Sequence, residues 1–381
     1  MKFEETFAAV NGLSKCGMDF GTERTRALLD GLGSPDKKLK IIHIAGTNGK
    51  GSVAEYLTNI LICAGKRVGT FTSPAVYTYL EQFRVDGKLL NEELYARAFS
   101  AALALNCGGT KFEVETAGAL YAFYLAGCEY AVVECGLGGR FDATNAIFKK
   151  ELALITSISL EHTAILGGSV EDICYHKSGI IKDCPCIISG YNSKEVLSYF
   201  SNLGAYVAGK YENPPLIGEA QKYNAALAIE AAKRLNIDEN AIYMGVNRTK
   251  LGGRIEKLSA GGINYILDGA HNPAAFAPLI EHLQGIGGHI CAVYGCLRDK
   301  DIDGNLSALS SVAECVYAVK CPSARARDLD STLAQCKKYF KFAEAKGSVS
   351  EALDSANAST VVVCGSFTLL KEAREWIEKR Q

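Results

Sequence analysis

The chain has 381 residues, more than one core comfortably serves, so two domains are expected. Hydrophobic residues make up 48% and charged residues 22%, an ordinary globular balance, and a formal net charge of -1 offers no strong field for a nucleic-acid or membrane partner. No apolar run reaches membrane-spanning length, and MKFEETFAAV carries acidic residues where a signal peptide needs a basic start and an apolar centre. The fourteen cysteines include no C-x-x-C pair; the nearest two are Cys184 and Cys186, and most others, such as Cys63 and Cys364, lie in apolar stretches. They read as small buried hydrophobes in a reducing cytoplasm, not as disulfides or a zinc site.

In chain order, short β-branched runs alternate with amphipathic segments. KIIHIAG precedes GSVAEYLTNILICAG and then RVGTFTS; EVETAGALYAFYLAG precedes EYAVVECG; ELALITSIS precedes SVEDICYHKSGIIK. Strand, helix, strand in this order predicts parallel sheets with right-handed crossovers. The helix expected over 114–126 rests on good helix formers and apolar spacing, without a strong cap. The pattern breaks near 245–253, GVNRTKLGG, and a second series follows: GINYILDGA, PAAFAPLIEHLQ, HICAVYG, AECVYAVK and TVVVCGS with a final helix, about four further strands. A boundary near 248 divides an expected domain 1–248 from a smaller one, 249–381.

The stretch HIAGTNGKGS, residues 43–52, follows a strand and opens a helix. The common phosphate loop is G-x-x-x-x-G-K-[ST]. Here the first glycine is two residues too close, and Gly51 separates Lys50 from Ser52. Three glycines let successive backbone N–H groups converge on phosphate oxygens at the positive end of the helix, and Lys50 supplies a point charge. A bare glycine turn lacks both the flanking elements and the lysine–hydroxyl pair, so phosphate binding is the better reading. A bound triphosphate needs a divalent cation, and magnesium takes oxygen ligands. Ser73 ends RVGTFTS, Glu134 ends EYAVVE and His162 follows ITSISLE. Singly these read as a turn serine, a solvated glutamate and a non-ligand histidine; what raises them is that carboxyl ends of parallel strands share one edge. Lys177, in a helix, reads by itself as a solvated charge. In LDGAHNPAAF a strand ends at Asp268, and Asn272–Pro273 suits a helix start, with His271 beside it.

Taken together, HIAGTNGKGS, TSPAVYTYLEQFRVDG, VVECGLGGRFDATN, ITSISLEHTAILG, HKSGIIK, QKYNAALA, GGRIE, LDGAHNPAA and YGCLRDKD occur in an order that resembles the folylpolyglutamate synthase/dihydrofolate synthase family of the Mur ligases, over nearly the whole chain from MDFGTERTRALLDGL to VVVCGSFTLL. The resemblance implies a P-loop parallel-sheet ATPase domain followed by a smaller Rossmann-like α/β domain. It implies ATP on Gly46, Thr47, Asn48, Gly49, Lys50, Gly51 and Ser52, with Asn224, Arg254, Asp268 and His271 also associated with the nucleotide. Ser73, Glu134, His162 and a carbamylated Lys177 are implied as holders of Mg2+, two ions in all, which overrides the surface reading of Lys177. Lys50, His162 and Lys177 are the implied catalytic groups. Gly136, Gly138, Gly139, Arg140, Asp142 and Thr144 are implied to lie near the phosphates and the folate-side substrate.

There are departures. Ala75 follows Pro74 where the family commonly has histidine, and Gln82 and Phe83 replace part of an E-R-I segment in a region expected to shape the pterin pocket. Glu161 stands where many members have aspartate, and GGRIE opens with glycine where the pattern has proline. The implied activity is an ATP-dependent carboxylate–amine ligase of the EC 6.3.2 class, forming an acyl phosphate from a folate or dihydropteroate carboxylate and joining it to L-glutamate. The expected protein is a cytoplasmic monomer with small-molecule substrates. Other readings are a different Mur-type ligase, against which the short length and GLGGRFDATN count, and a P-loop nucleotide switch without ligation, which leaves Lys177, Asp268 and His271 unexplained.

Overall fold

The apolar run at Lys40–Ala45 forms strand β1, buried at all but its first residue, because both faces of its sheet are covered. In the computed structural model, which describes residues 1–13 and 21–381, two α/β units form. Met18, Asp19 and Phe20, which open the MDFGTERTRALLDGL segment, lie outside the described residues. The first unit comprises Met1–Pro74, Leu80–Pro215 and Ala220–Thr249; the second comprises Ala75–Tyr79, Leu216–Glu219 and Lys250–Gln381. Among the described residues no helix is long and apolar enough to cross a membrane.

The first sheet adds β2 (Val68–Phe71), β3 (Phe83–Val85), β4 (Lys88–Leu89), β5 (Tyr130–Glu134), β6 (Leu152–Ile155), β7 (Cys186–Ser189) and β8 (Tyr206–Ala208), in the order β4-β3-β2-β5-β1-β6-β7-β8. Its core is parallel, as the alternating pattern predicts, but β3 pairs antiparallel with both β2 and β4, so the sheet is mixed. β1 lies between β5 and β6, and its register sets Ile44 beside Glu134 and Ala45 beside Ile155. The loops after these three strands therefore leave from one edge, where open α/β sheets place their ligands. The helix expected over 114–126 begins earlier, at Lys111, and does have a cap: the backbone N–H of Glu113 donates to the Thr110 hydroxyl, and the Thr110 N–H donates to the Glu113 carboxylate.

The second unit has β9 (Glu256–Ala260), β10 (Ile263–Leu267), β11 (Ile290–Tyr294), β12 (Cys315–Ala318), β13 (Phe342–Ala345) and β14 (Thr360–Cys364), ordered β13-β12-β11-β14-β10-β9. Six strands stand where about four are expected. The two extra are the edges: β9, antiparallel to β10, and β13. Both edges carry alternating exposed side chains, whereas β11 and β14 are buried throughout. Successive residues feed opposite faces: Ile266, Ala292 and Val362 pack in one apolar cluster, Leu267, Val293 and Val363 in another.

Candidate active site

The shortened glycine loop runs from the end of β1 to the helix Lys50–Cys63. It is fastened to the segment after β6: the Thr47 N–H donates to the Ser157 carbonyl at 2.7 Å, and the Thr156 hydroxyl donates to the Asn48 carbonyl at 2.7 Å. Gly49, the helix N-cap, has φ 91°, and a Cβ there would fall 2.5 Å from Asn224 Oδ1. Only glycine suits that position on both counts. No side chain caps the helix, so its first N–H groups remain directed into the loop. Lys50 Nζ donates to the carbonyls of Gly46 and Thr47, both at 3.1 Å, and lies 3.9 Å from Glu134 Oε1. Asn224 is buried on the helix Glu219–Arg234, and its Nδ2 donates to Gln221 Oε1, while Gln221 Nε2 donates to the Ser52 hydroxyl at 3.2 Å. Gln221, one helical turn from Asn224, escaped the sequence reading, although i, i+3 spacing puts both on one helix face.

Beside the loop lies a small recess open to solvent, walled by Gly46, Lys50, Cys135, Gly136, Leu137, Gly138, Glu161, His162, Leu166 and Lys177. Strand ends deliver most of this wall. Glu134 and Ser73 stand outside this lining: Glu134 closes β5 and is buried, and its Oε2 accepts from the Ser73 N–H at 3.4 Å. His162 has φ 52° at the start of a one-turn helix, and its Nε2 is 3.8 Å from Glu161 Oε1. Lys177 comes from the helix Val170–Ser178 and is only 4% exposed. Among the described residues no hydrogen bond or ion pair reaches its Nζ. Burial, with the nearby charge of Lys50, pushes this amine down to about 7, so near neutral pH much of it is an uncharged nucleophile. The solvated charge that helix context suggests is thus overturned: Ile173 and Lys177 are four apart, both buried on one stripe. Among the described residues no three His, Cys, Asp or Glu side chains form a metal cage. The donor set does fit magnesium, which needs few protein oxygens because it keeps waters and takes phosphate oxygens. Glu161, noticed in the sequence only as a departure, belongs to this wall.

The loop 136–145 is built by its own side chains. Asp142 Oδ2 accepts from the Leu137 N–H at 2.7 Å, and Oδ1 accepts from the Thr144 N–H at 3.0 Å and from the Thr144 hydroxyl. Thr144 is fully buried and bonds the ring of His43. Burial pushes the Asp142 carboxyl up, against these donors. Gly139 lies against the helix of Lys177, where a Cβ would come 2.9 Å from the His176 carbonyl. Arg140 caps the other side, its guanidinium 4.0 Å from the Tyr175 ring centroid and donating to the Tyr175 carbonyl. Gly136 and Gly138 therefore face the recess on a loop held from behind by Asp142 and Thr144.

In the second unit Asp268 follows β10 and is buried. Its two oxygens accept from the Ile255 and Ala270 N–H groups, both at 2.7 Å. Burial pushes its carboxyl up, opposed by the charge of Arg254. Arg254 lies 4.4 Å from the Phe367 ring centroid, and His271 packs edge-on to the same ring. His271 Nδ1 is 2.8 Å from the Gly269 carbonyl. Asn272 caps the helix Pro273–Ile286 through the Ala275 N–H, as the sequence suggests. Arg254, Asp268 and His271 thus form one group on this unit.

Residues 44–208 match the Mur ligase middle domain, and residues 253–367 match the Mur ligase glutamate ligase domain. The chain is 33% identical to the dihydrofolate synthase/folylpolyglutamate synthase of Escherichia coli (strain K12), over 96% of this chain and 93% of that protein. Its fold superposes on E. coli FolC in complex with DHPP and ADP with a TM-score of 0.88 at 31% identity, covering 100% of this chain and 98% of that one. A bifunctional folylpolyglutamate synthase/dihydrofolate synthase with Mn, AMPPNP and L-glutamate bound gives 0.87 at 29% identity, covering 99% and 98%. With nearly full coverage on both sides and both domains matched, this chain belongs to the folylpolyglutamate synthase/dihydrofolate synthase family of the Mur ligases.

Proposed function

We propose that the chain is an ATP-dependent ligase that activates a folate or dihydropteroate carboxylate as an acyl phosphate and joins it to L-glutamate. The observation that carries this reading is the recess where the glycine loop, His162 and a buried Lys177 meet, with the Glu134 carboxylate 3.9 Å from Lys50. The relatives support it, since related structures hold ADP with DHPP, or AMPPNP with Mn and L-glutamate. The reading assigns 1–248 to nucleotide binding and catalysis and 249–381 to the C-terminal ligase domain.

A carboxylate is a poor electrophile, so amide formation in water is uphill without activation. In this reading the loop 46–52 cradles the phosphates through backbone N–H groups, and Lys50 turns from the loop carbonyls toward the transferring phosphoryl group. One carboxylate oxygen attacks the γ-phosphorus and ADP leaves; the glutamate amine then attacks the acyl carbon and inorganic phosphate leaves. No side-chain nucleophile is required. Magnesium, when bound, offsets charge on the phosphoryl oxygens; Ser73 and Glu134 would hold one ion, His162 and Lys177 a second. A lysine suits such a position if its neutral amine adds carbon dioxide and loses a proton, which turns a cation into an oxygen ligand. Gly136, Gly138, Gly139 and Arg140 would face the folate-side substrate, with Asp142 and Thr144 holding them in place. Asn224 supports the loop, and Arg254, Asp268 and His271 would contact the nucleotide.

The test is product analysis with labelled L-glutamate, ATP and magnesium, offering dihydropteroate and tetrahydrofolate in parallel. Labelled amide and stoichiometric ADP are expected only when acceptor and glutamate are both present. ADP release at the same rate without either would point to a nucleotide hydrolase and sink the reading.

A further inference from the structure

Between β2 and β3 the chain leaves the first unit: Ala75–Tyr79, directly after Ser73–Pro74, packs with the second. The segment opens with Ala75, one of the departures from the family pattern. Its anchor is the carboxylate of Glu256, the first residue of β9. The Tyr77 hydroxyl donates to Glu256 Oε2, and the same oxygen accepts from the Gly253 N–H at 2.8 Å. Oε1 accepts from Arg374 Nη1 at 2.9 Å. Arg374 also covers the Tyr77 ring at 4.7 Å and is held by Glu378 at 2.7 Å. One carboxylate thus gathers donors from the 75–79 segment, from the turn preceding β9 and from the last helix, and donors of this charge-assisted kind are the stronger ones.

The turn is moulded to that segment. A Cβ on Gly252 would lie 2.6 Å from Tyr77 Cε2, and one on Gly253, at φ 67°, 3.0 Å from Val76 Cγ1. The Tyr77 ring and the side-chain-free Gly252 therefore require each other, and a residue with a Cβ at 252 would displace the ring. The next residue is Arg254.

We propose that Tyr77 is a positioning residue: through Glu256 it fixes the Gly252–Gly253 turn, and so sets the presentation of Arg254 to the nucleotide. This rests on the assignment of Arg254 to the nucleotide made above, and the control below separates the two. Tyr77→Phe keeps the ring and removes the hydroxyl that donates to Glu256. It is expected to raise the KM for ATP roughly three- to tenfold, the scale of a lost hydrogen bond to a carboxylate, with kcat and the KM for glutamate little changed. Amide hydrogen exchange over 75–79 and 252–255 should speed up together in the same variant. Glu256→Gln, which leaves one acceptor oxygen where two are used and puts an N–H donor in place of the other, should raise the KM for ATP at least as much as Tyr77→Phe.

Arg254→Ala is the control. If it leaves the KM for ATP unchanged, the nucleotide assignment fails. If it raises that KM while Tyr77→Phe changes neither KM for ATP nor exchange at 252–255, the positioning role fails. A lowered melting temperature for Tyr77→Phe with wild-type KM for ATP likewise assigns Tyr77 to stability alone and overturns the proposal.

Discussion

Lys177 is held in the fold at a desolvation cost. Between about 7, where burial places the folded amine, and its ordinary 10.5, the unfolded chain binds a proton that the folded chain does not. Stability from this group therefore rises with pH across that window and is lowest below it, where both states carry the charge. Lys177→Met should stabilise the protein by roughly a few kcal/mol at pH 6.5 in carbon-dioxide-depleted buffer, with the advantage shrinking by pH 9.5, while ligation is lost. Denaturant titrations at the two pH values check the sign. A variant less stable than wild type at pH 6.5 would mean that the amine is not held against a desolvation cost. Local sequence could not show this: the helix Val170–Ser178 mixes polar and apolar residues, and only the Ile173–Lys177 spacing hinted at burial. The strand-end position of Glu134, by contrast, was legible, because it closes an apolar run, whereas its burial was not.

At the scale of elements, the glycine loop and its helix act as one device. The uncapped start of the helix Lys50–Cys63 and the left-handed Gly49 leave backbone donors for an anion. Gly49→Ala brings a methyl group against Asn224 in a strained backbone region, so ATP affinity should fall by at least about tenfold. Isothermal titration checks this, and an unchanged affinity would place the phosphates elsewhere. The buried strands were readable because parallel strands covered on both faces become continuous apolar runs. The edges β9 and β13 were not, since their alternating exposed residues resemble loop sequence. The cap at Thr110 is a local matter: Thr110 and Glu113 fit the S/T-x-x-E capping box, but the helix was expected to start at 114, beyond both.

At the scale of the whole molecule, each unit brings its own group of residues: the glycine loop with Glu134, His162 and Lys177 in the first, and Arg254, Asp268 and His271 in the second. The order of motifs made this division legible, whereas the membership of Ala75–Tyr79 in the second unit depends on tertiary contacts to Glu256 and the glycine turn that no local pattern encodes. The central claim is that the acceptor carboxylate is phosphorylated before the amide forms. Carrying out the ligation with 18O in both oxygens of that carboxylate tests it directly, by mass analysis of the released phosphate. The account predicts one 18O in each phosphate and one retained in the amide; amide formed alongside unlabelled phosphate would contradict it.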